Sequence, residues 1–221
     1  MNLIREYIRR LLTEVAKGPQ DLPDEVIVVI QTSGEGFYTY YGITDDPTVM
    51  AGDPYYPVGM HGNVEVGWIG PYEAIGGGTY GGMGDLGKCD GAGVVIGSEA
   101  HPSGWGPLLY DVAMEYATMK GGGLIADRSI VSADARRVWD YYLNNRSDVT
   151  AYQLDDLGNT LTPQEEDNCD QKVARRPYEP YKYDASGKVD VNWVDSALSK
   201  RYTKPPTTIE KLKSLGKLVK L

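Results

Sequence analysis

His101-Pro102-Ser103-Gly104-Trp105-Gly106 sets two glycines just ahead of a proline-led apolar run, and these residue types at this spacing suit the binding of an anion. Gly104 and Gly106 remove side chains where backbone N–H groups must approach a ligand, and Pro107 suits the first helical position, where its missing N–H costs nothing. The first-turn amides and the positive end of the helix dipole then favour a negative charge in front of Gly106. His101 reads equally as a phosphate contact and as a loop histidine bonded to backbone, while Trp105 reads best as an apolar plug against a sheet.

A second glycine-rich stretch, Gly82-Met83-Gly84-Asp85-Leu86-Gly87-Lys88-Cys89, has nucleotide P-loop spacing, but Cys89 stands where a magnesium-binding Ser or Thr is needed. Lys88 is also followed by Cys-Asp-Gly-Ala-Gly, which opposes the helix a P-loop must enter. We therefore read no triphosphate site there. Two histidines cannot form a histidine-rich zinc site, and no Ser-His-Asp or Cys-His pair emerges from spacing.

The elements that must hold the cradle follow from periodicity. Val26 to Ile30 and Gly36 to Tyr41 form a hairpin across Ser33-Gly34-Glu35-Gly36, residues 44 to 62 are an irregular loop, and Val64 to Ile69 is a further strand. Gly76 to Gly93 is too rich in glycine for a regular element. Ala92 to Ile96 is a buried strand, residues 107 to 119 are a helix ended by Gly121-Gly122-Gly123, and Leu124 to Ala126 is a short strand. Ser132 caps a helix to about Asn144. Thr162-Pro163-Gln164-Glu165 reads as a capping box, which makes the acidic residues Glu165, Glu166, Asp167 and Asp170 a helix start rather than a metal site. Residues 175 to 208 lack periodicity and suggest a strap, and 207 to 219 a last helix.

Residues 2 to 16 form an amphipathic helix stopped by Gly18-Pro19, which either packs on its own domain or serves as a docking peptide. No run is long and apolar enough for a membrane span. The net charge of -9 divides into +6 from Ser199 onward and -15 before it, so an acidic body that argues against general nucleic-acid binding carries a basic tail. That tail is a solvated end or a docking element. Cys89 and Cys169 neither require nor exclude a disulfide, and a reducing compartment fits them. Seventeen tyrosines and four tryptophans against one phenylalanine favour half-buried sheets and interfaces.

The order strand, glycine turn, helix, strand, capped helix from Ala92 to Tyr142 resembles the core of the GNAT superfamily of acyl-CoA-dependent N-acyltransferases. His101 to Gly106 falls on that family's Arg/Gln-x-x-Gly-x-Gly/Ala pyrophosphate loop, with Leu108-Leu109 after it. Leu124-Ile125-Ala126 falls on the following strand, and Ser132-Ala133-Asp134-Ala135-Arg136-Arg137-Val138-Trp139 on the Asn-x-x-Ala-x-x-x-Tyr signature. His101, Ser132 and Trp139 depart from the usual residues. The resemblance implies an α+β fold with a mixed, mostly antiparallel sheet flanked by helices, and an acetyl-CoA site at Ile96, His101, Ser103, Gly104, Trp105 and Gly106.

Such chemistry needs strand amides on the thioester carbonyl, a base for the amine and an acid for the sulfur. Val95, Ile96 and Gly97 offer the amides, and Asp90 or Glu99 the base. Because a tryptophan N–H is no proton donor to a thiolate, the acid falls to Tyr141 or Tyr142, and Glu99 with Tyr142 is the catalytic pair carried forward.

The leader MNLIREYIRRLLTEVA is also similar to those of proteins that tailed bacteriophages package into proheads, where cleavage follows Leu/Ile-x-Glu, here Leu12-Thr13-Glu14. The sequence thus predicts an N-terminal helix (residues 1–18), a GNAT-like core (19–160) and a C-terminal extension (161–221). The expected function is N-acetylation of a small or protein amine. The alternative is a non-catalytic phage virion or prohead-associated protein, with other phage structural proteins as partners, located in the virion or the infected host's cytoplasm.

Overall fold

A computed structural model describes residues 16–34, 36–55, 58–68, 89, 91–127, 131–156, 158–169 and 194–221. The leader helix, the P-loop-like stretch up to Lys88, Asp90 and the first part of the strap lie outside them.

The β-branched run of β1 (Val26–Thr32) is buried on both faces through Ile30, as a central strand demands, and it pairs antiparallel with β2 (Gly36–Ile43). The hairpin turn closes through the Ser33 amide donating to the Gly36 carbonyl at 2.9 Å. Gly36 has no substitute, because a Cβ there would lie 2.0 Å from the Val66 carbonyl oxygen. β3 (His61–Trp68) and β4 (Gly93–His101) continue the antiparallel sheet.

From β4 the chain turns into α1 (Gly106–Lys120), which has proline in its first turn and is closed by Gly121 at φ 137°. Residues Leu108 to Tyr110 and Val112 to Ala117 are all buried, so α1 is enclosed rather than lying on a surface. β5 (Leu124–Ile125) runs parallel to β4, and α2 (Ala133–Asn145) begins at Ser132, whose hydroxyl accepts from the Ala135 amide at 3.1 Å. β6 (Thr150–Gln153), β7 (Lys200–Thr203), α3 (Thr207–Ser214) and β8 (Leu218–Lys220) complete the chain. The result is an α+β protein with one curled, mostly antiparallel sheet of eight strands in the order β6-β7-β5-β4-β3-β2-β1-β8. Only β1/β8 and β4/β5 are parallel. The main core lies between the sheet and α1.

Four expectations are corrected. Thr162 caps no long helix: its hydroxyl bonds Asp155 and Asp167, and only a single 3-10 turn, Glu165–Asp167, follows. The chain after Ser199 is no surface strap, because β7 is inserted between β5 and β6, with Tyr202 fully buried. The last helix stops at Ser214, and the expected helical residues 218–219 instead extend the sheet beside β1. The basic tail keeps Lys211, Lys213 and Lys220 exposed, as a solvated end would, and is corrected only at Lys204, which is 1% exposed.

Cys89 and Cys169 form a disulfide, with Cα atoms 5.4 Å apart, inside a second small core with Ala92, Val94, Ile125 and Leu154. An oxidised pair runs against the reducing compartment that sparse cysteine usage suggested.

Candidate functional site

β4 and β5 share only two pairs, Gly93 with Leu124 and Val94 with Ile125, and then part. Across β4 the register with β3 slips: Val95 faces Val66 and Gly97 faces Glu65, so Ile96 is an extra residue in a bulge. Parting strands on one side and a bulge on the other leave the backbone of residues 95–97 facing a cleft of about 170 Å³. Its lining includes Ser98 from β4, Tyr110 from α1, Asp127 beyond β5, and Ser132 and Trp139 from α2.

The bulge decides which side chains meet there. Val64 and Val66 both belong to the core on the α1 side, and cross-strand partners share a face, so Val95 and Ser98 point the same way despite their odd spacing. Ser98 Oγ then lies 2.8 Å from the Tyr110 hydroxyl. Burial pushes the Tyr110 phenol up to about 12, against the pull of the Ser98 hydrogen bond and helped by the Asp127 charge. At neutral pH the phenol is therefore protonated, and either hydroxyl of the pair can donate to the other. Trp139 walls the cleft, stacked on Tyr202 at 5.1 Å and edge-on to Tyr110 at 5.5 Å.

Of the residues the sequence pointed to, Ile96 lines this cleft and Glu99 and Tyr142 do not. Glu99 follows Ser98 and so faces the opposite side of the sheet, where its Oε1 accepts from Asn63 Nδ2 at 3.1 Å. Tyr142 is buried against α1, its hydroxyl donating to Asp111 Oδ1 at 2.7 Å with the Pro107 carbonyl oxygen 3.1 Å from the same atom. Burial first, then the Asp111 charge, pushes its phenol well up. Tyr142 thus ties α2 to α1, and the hydroxyls that line the cleft with Ile96 are those of Ser98 and Tyr110.

The cradle is partly occupied by the protein itself. His101 ends β4 opposite His61, with the two rings stacked at 5.4 Å, rather than standing in a loop. Trp105 is the expected plug: it is 3% exposed, edge-on to Tyr41 at 5.7 Å, and its carbonyl accepts from the Tyr41 hydroxyl at 2.7 Å. Ser103 is exposed, and Gly104 turns the chain at φ 93°, where its carbonyl accepts from the Lys17 amide at 3.0 Å. Gly106 opens α1 beside Ala100, with room for a Cβ at 3.7 Å. Glycine is therefore demanded by the backbone at 104 and by nothing in the structure at 106.

Ser98 was missed because strand alternation without a bulge places it on the wrong face, and nothing in sequence marks a bulge; Tyr110 on α1 and Asp127 beyond β5 reach the cleft only through the tertiary fold. Among the described residues no group of three His, Cys, Asp or Glu side chains is arranged to hold a metal ion, and no helix is long and apolar enough to cross a membrane. Comparison with known protein families, curated proteins and solved structures finds no match to this chain.

Proposed function

We propose that the cleft takes the thioester end of an acyl-coenzyme A, with acetyl-CoA the expected donor, and passes its acyl group to an amine. The observation that carries this reading is the parting of β4 from β5 at a bulge, which presents backbone of residues 95–97 and a hydroxyl pair to one small cleft. Peptide N–H groups fixed in that geometry suit the oxygen of a tetrahedral intermediate.

In this reaction the amine nitrogen forms a bond to the acyl carbon and the carbon–sulfur bond breaks. The thiolate takes its proton from the Tyr110 hydroxyl, which Ser98 holds at 2.8 Å, and the amine gives its proton to Asp127. The remainder of the cofactor would run along β4 towards Gly104 and the first turn of α1, whose dipole favours its pyrophosphate.

The test is calorimetric titration of the folded protein with acetyl-CoA and desulfo-CoA. Saturable binding of both, weakened when Ser98→Trp fills the cleft, is expected. Absence of binding at millimolar ligand with an intact fold overturns the proposal.

The cleft's size favours one other reading. About 170 Å³ is below the roughly 300 Å³ at which ordinary small-molecule sites begin. That supports the alternative in which the same fold serves as a non-catalytic module among phage structural proteins. Mass spectrometry of purified particles decides it: the chain is then a stoichiometric component, whereas presence only in infected-cell lysate removes this reading.

A further inference from the structure

At the opposite end of the sheet from Gly104 lies a larger cavity, of about 470 Å³, lined by the ends of β1 and β3, the start of β2, the last turns of α1, and β8. Its volume falls among small-molecule sites, which begin at roughly 300 Å³. Trp68 and Tyr116 line it, and behind them Phe37 holds both, at 5.1 Å from the indole and 4.8 Å, edge-on, from the phenol ring.

Two lysines from distant parts of the chain converge on this aromatic floor. Lys120 Nζ lies 5.7 Å and Lys220 Nζ 4.9 Å from the centre of the single Tyr116 ring. Lys120 alone is explained by its place in the last turn of a helix, where a cation complements the dipole. Lys220 is not explained that way, since it arrives on a strand at the far end of the sequence. Neither lysine makes an ion pair among the described residues, in a chain whose first 198 residues carry a formal charge of -15. Two ammonium groups on one ring repel each other, and an anion between them turns that repulsion into attraction.

The other polar groups of the rim do not compete. The Thr32 hydroxyl donates to the Leu221 carbonyl, and the Ser33 hydroxyl donates to the Gly36 carbonyl while accepting from the Gly36 amide. Selectivity rests on charge and ring surface.

We infer that this cavity binds a planar aromatic anion with a doubly charged head, of the nucleoside monophosphate class, its ring against Trp68 and its phosphate between Lys120 and Lys220. The site is separate from the β4/β5 cleft and does not rest on acyl transfer.

The probes are adenosine monophosphate, benzoate and inorganic phosphate, titrated into the full chain by calorimetry with tryptophan fluorescence recorded in parallel. Saturable binding of the nucleotide with quenched emission is expected, roughly tenfold or more tighter than either part alone. The double variant Lys120→Met, Lys220→Met keeps the apolar stems and is expected to lose at least tenfold in affinity with an unchanged melting temperature, whereas Ser98→Trp in the cleft leaves affinity unchanged. Three results overturn the inference: no saturable nucleotide binding at several millimolar, phosphate binding as tightly as the nucleotide, or loss of binding in Ser98→Trp with retention in the double lysine variant. If the lysine variant fails to fold, Trp68→Leu, which removes the ring surface, serves instead, and unaltered nucleotide affinity there also overturns it.

Discussion

Helix α1 carries two polar clusters one residue apart, and they differ in how completely they are closed. On one side Glu115, fully buried, accepts from Lys204 Nζ and from the Thr208 and Ile209 amides at 2.8 and 2.7 Å. Beside it Asp111 takes both terminal nitrogens of Arg146, at 3.0 and 3.1 Å, together with the Tyr142 hydroxyl. On the other side Tyr110 meets Ser98 and the pair opens onto the cleft. A polar cluster that satisfies itself ties elements together. One that is half satisfied beside open volume has capacity left for a ligand.

The largest effect separating the two is expected at Glu115. Glu115→Ala leaves the buried Lys204 with only Asp148, 3.4 Å away and partly exposed, as its counter-charge and two first-turn amides of α3 without an acceptor, so the loss is expected near the lower end, about 3 kcal/mol, of what breaking a buried pair costs. The double variant Glu115→Leu, Lys204→Met removes the stranded charge but not the stranded amides, so it recovers only part of the loss. Thermal denaturation of both reads the difference. Full recovery in the double variant would show that the amides contribute nothing and that the cluster is not a cap for α3.

The Cys89–Cys169 bond closes a separation of 80 residues and ties β4 to the segment after Asp155. Its loss in Cys89→Ala, Cys169→Ala is expected to cost about 2–5 kcal/mol. Chemical denaturation with and without reductant measures it, and equal midpoints would mean that the small core holds without the bond.

The hydroxyl swap tests the comparison most directly. Tyr142→Phe removes a donor to a charged carboxylate and is expected to cost about 1.5–3 kcal/mol of stability while leaving the proposed acyl transfer untouched. Tyr110→Phe is expected to do the reverse: transfer falls about 10²-fold or more, as for loss of a general acid, with little change in melting. Steady-state kinetics and melting on the same two preparations give the four values. A Tyr142→Phe variant that loses transfer with unchanged stability would return the acid to the position first read from sequence.

What sequence made legible follows the same division. The hairpin, the strand before Gly104, the helix after it and the Ser132 cap were visible because each rests on local chemistry: β-branched runs, a left-handed glycine and a capping hydroxyl. β6, β7 and β8 were not, because strands of three or four residues owe their form to the neighbours they pair with. Thr162 misled because its hydroxyl is held by Asp167 and Asp155, and the Asp155 carboxylate also gathers the amides of Asp156, Thr160, Leu161 and Thr162 into a closed loop. In the candidate cleft Ile96 was legible from its strand, whereas Ser98 was not, since a one-residue bulge reverses strand parity without changing composition, and Tyr110 was not, since it reads as an ordinary buried position of α1.

The smallest expected effect lies at the rim of the closed cluster. The hydrogen bond from Arg146, together with its charge, outweighs burial and lowers the Asp148 carboxyl to about 2. A carboxylate with a lowered pKa in the folded state stabilises fully above its unfolded value near 4, and that stabilisation fades as pH falls towards 2. With 40% of the Asp148 side chain exposed, solvent screening keeps the contribution to well under ~1 kcal/mol. Asp155 shifts in the same direction: burial opposes it, but the amides of Thr162, Leu161 and Asp156 prevail and lower its carboxyl. Melting temperature is therefore expected to fall between about pH 4 and pH 2, and Asp148→Asn to shallow that fall slightly. A variant with the same acid slope as the parent would leave the acid sensitivity to the other lowered carboxyls, Asp155 and Asp46, and leave Arg146 held by Asp111 alone.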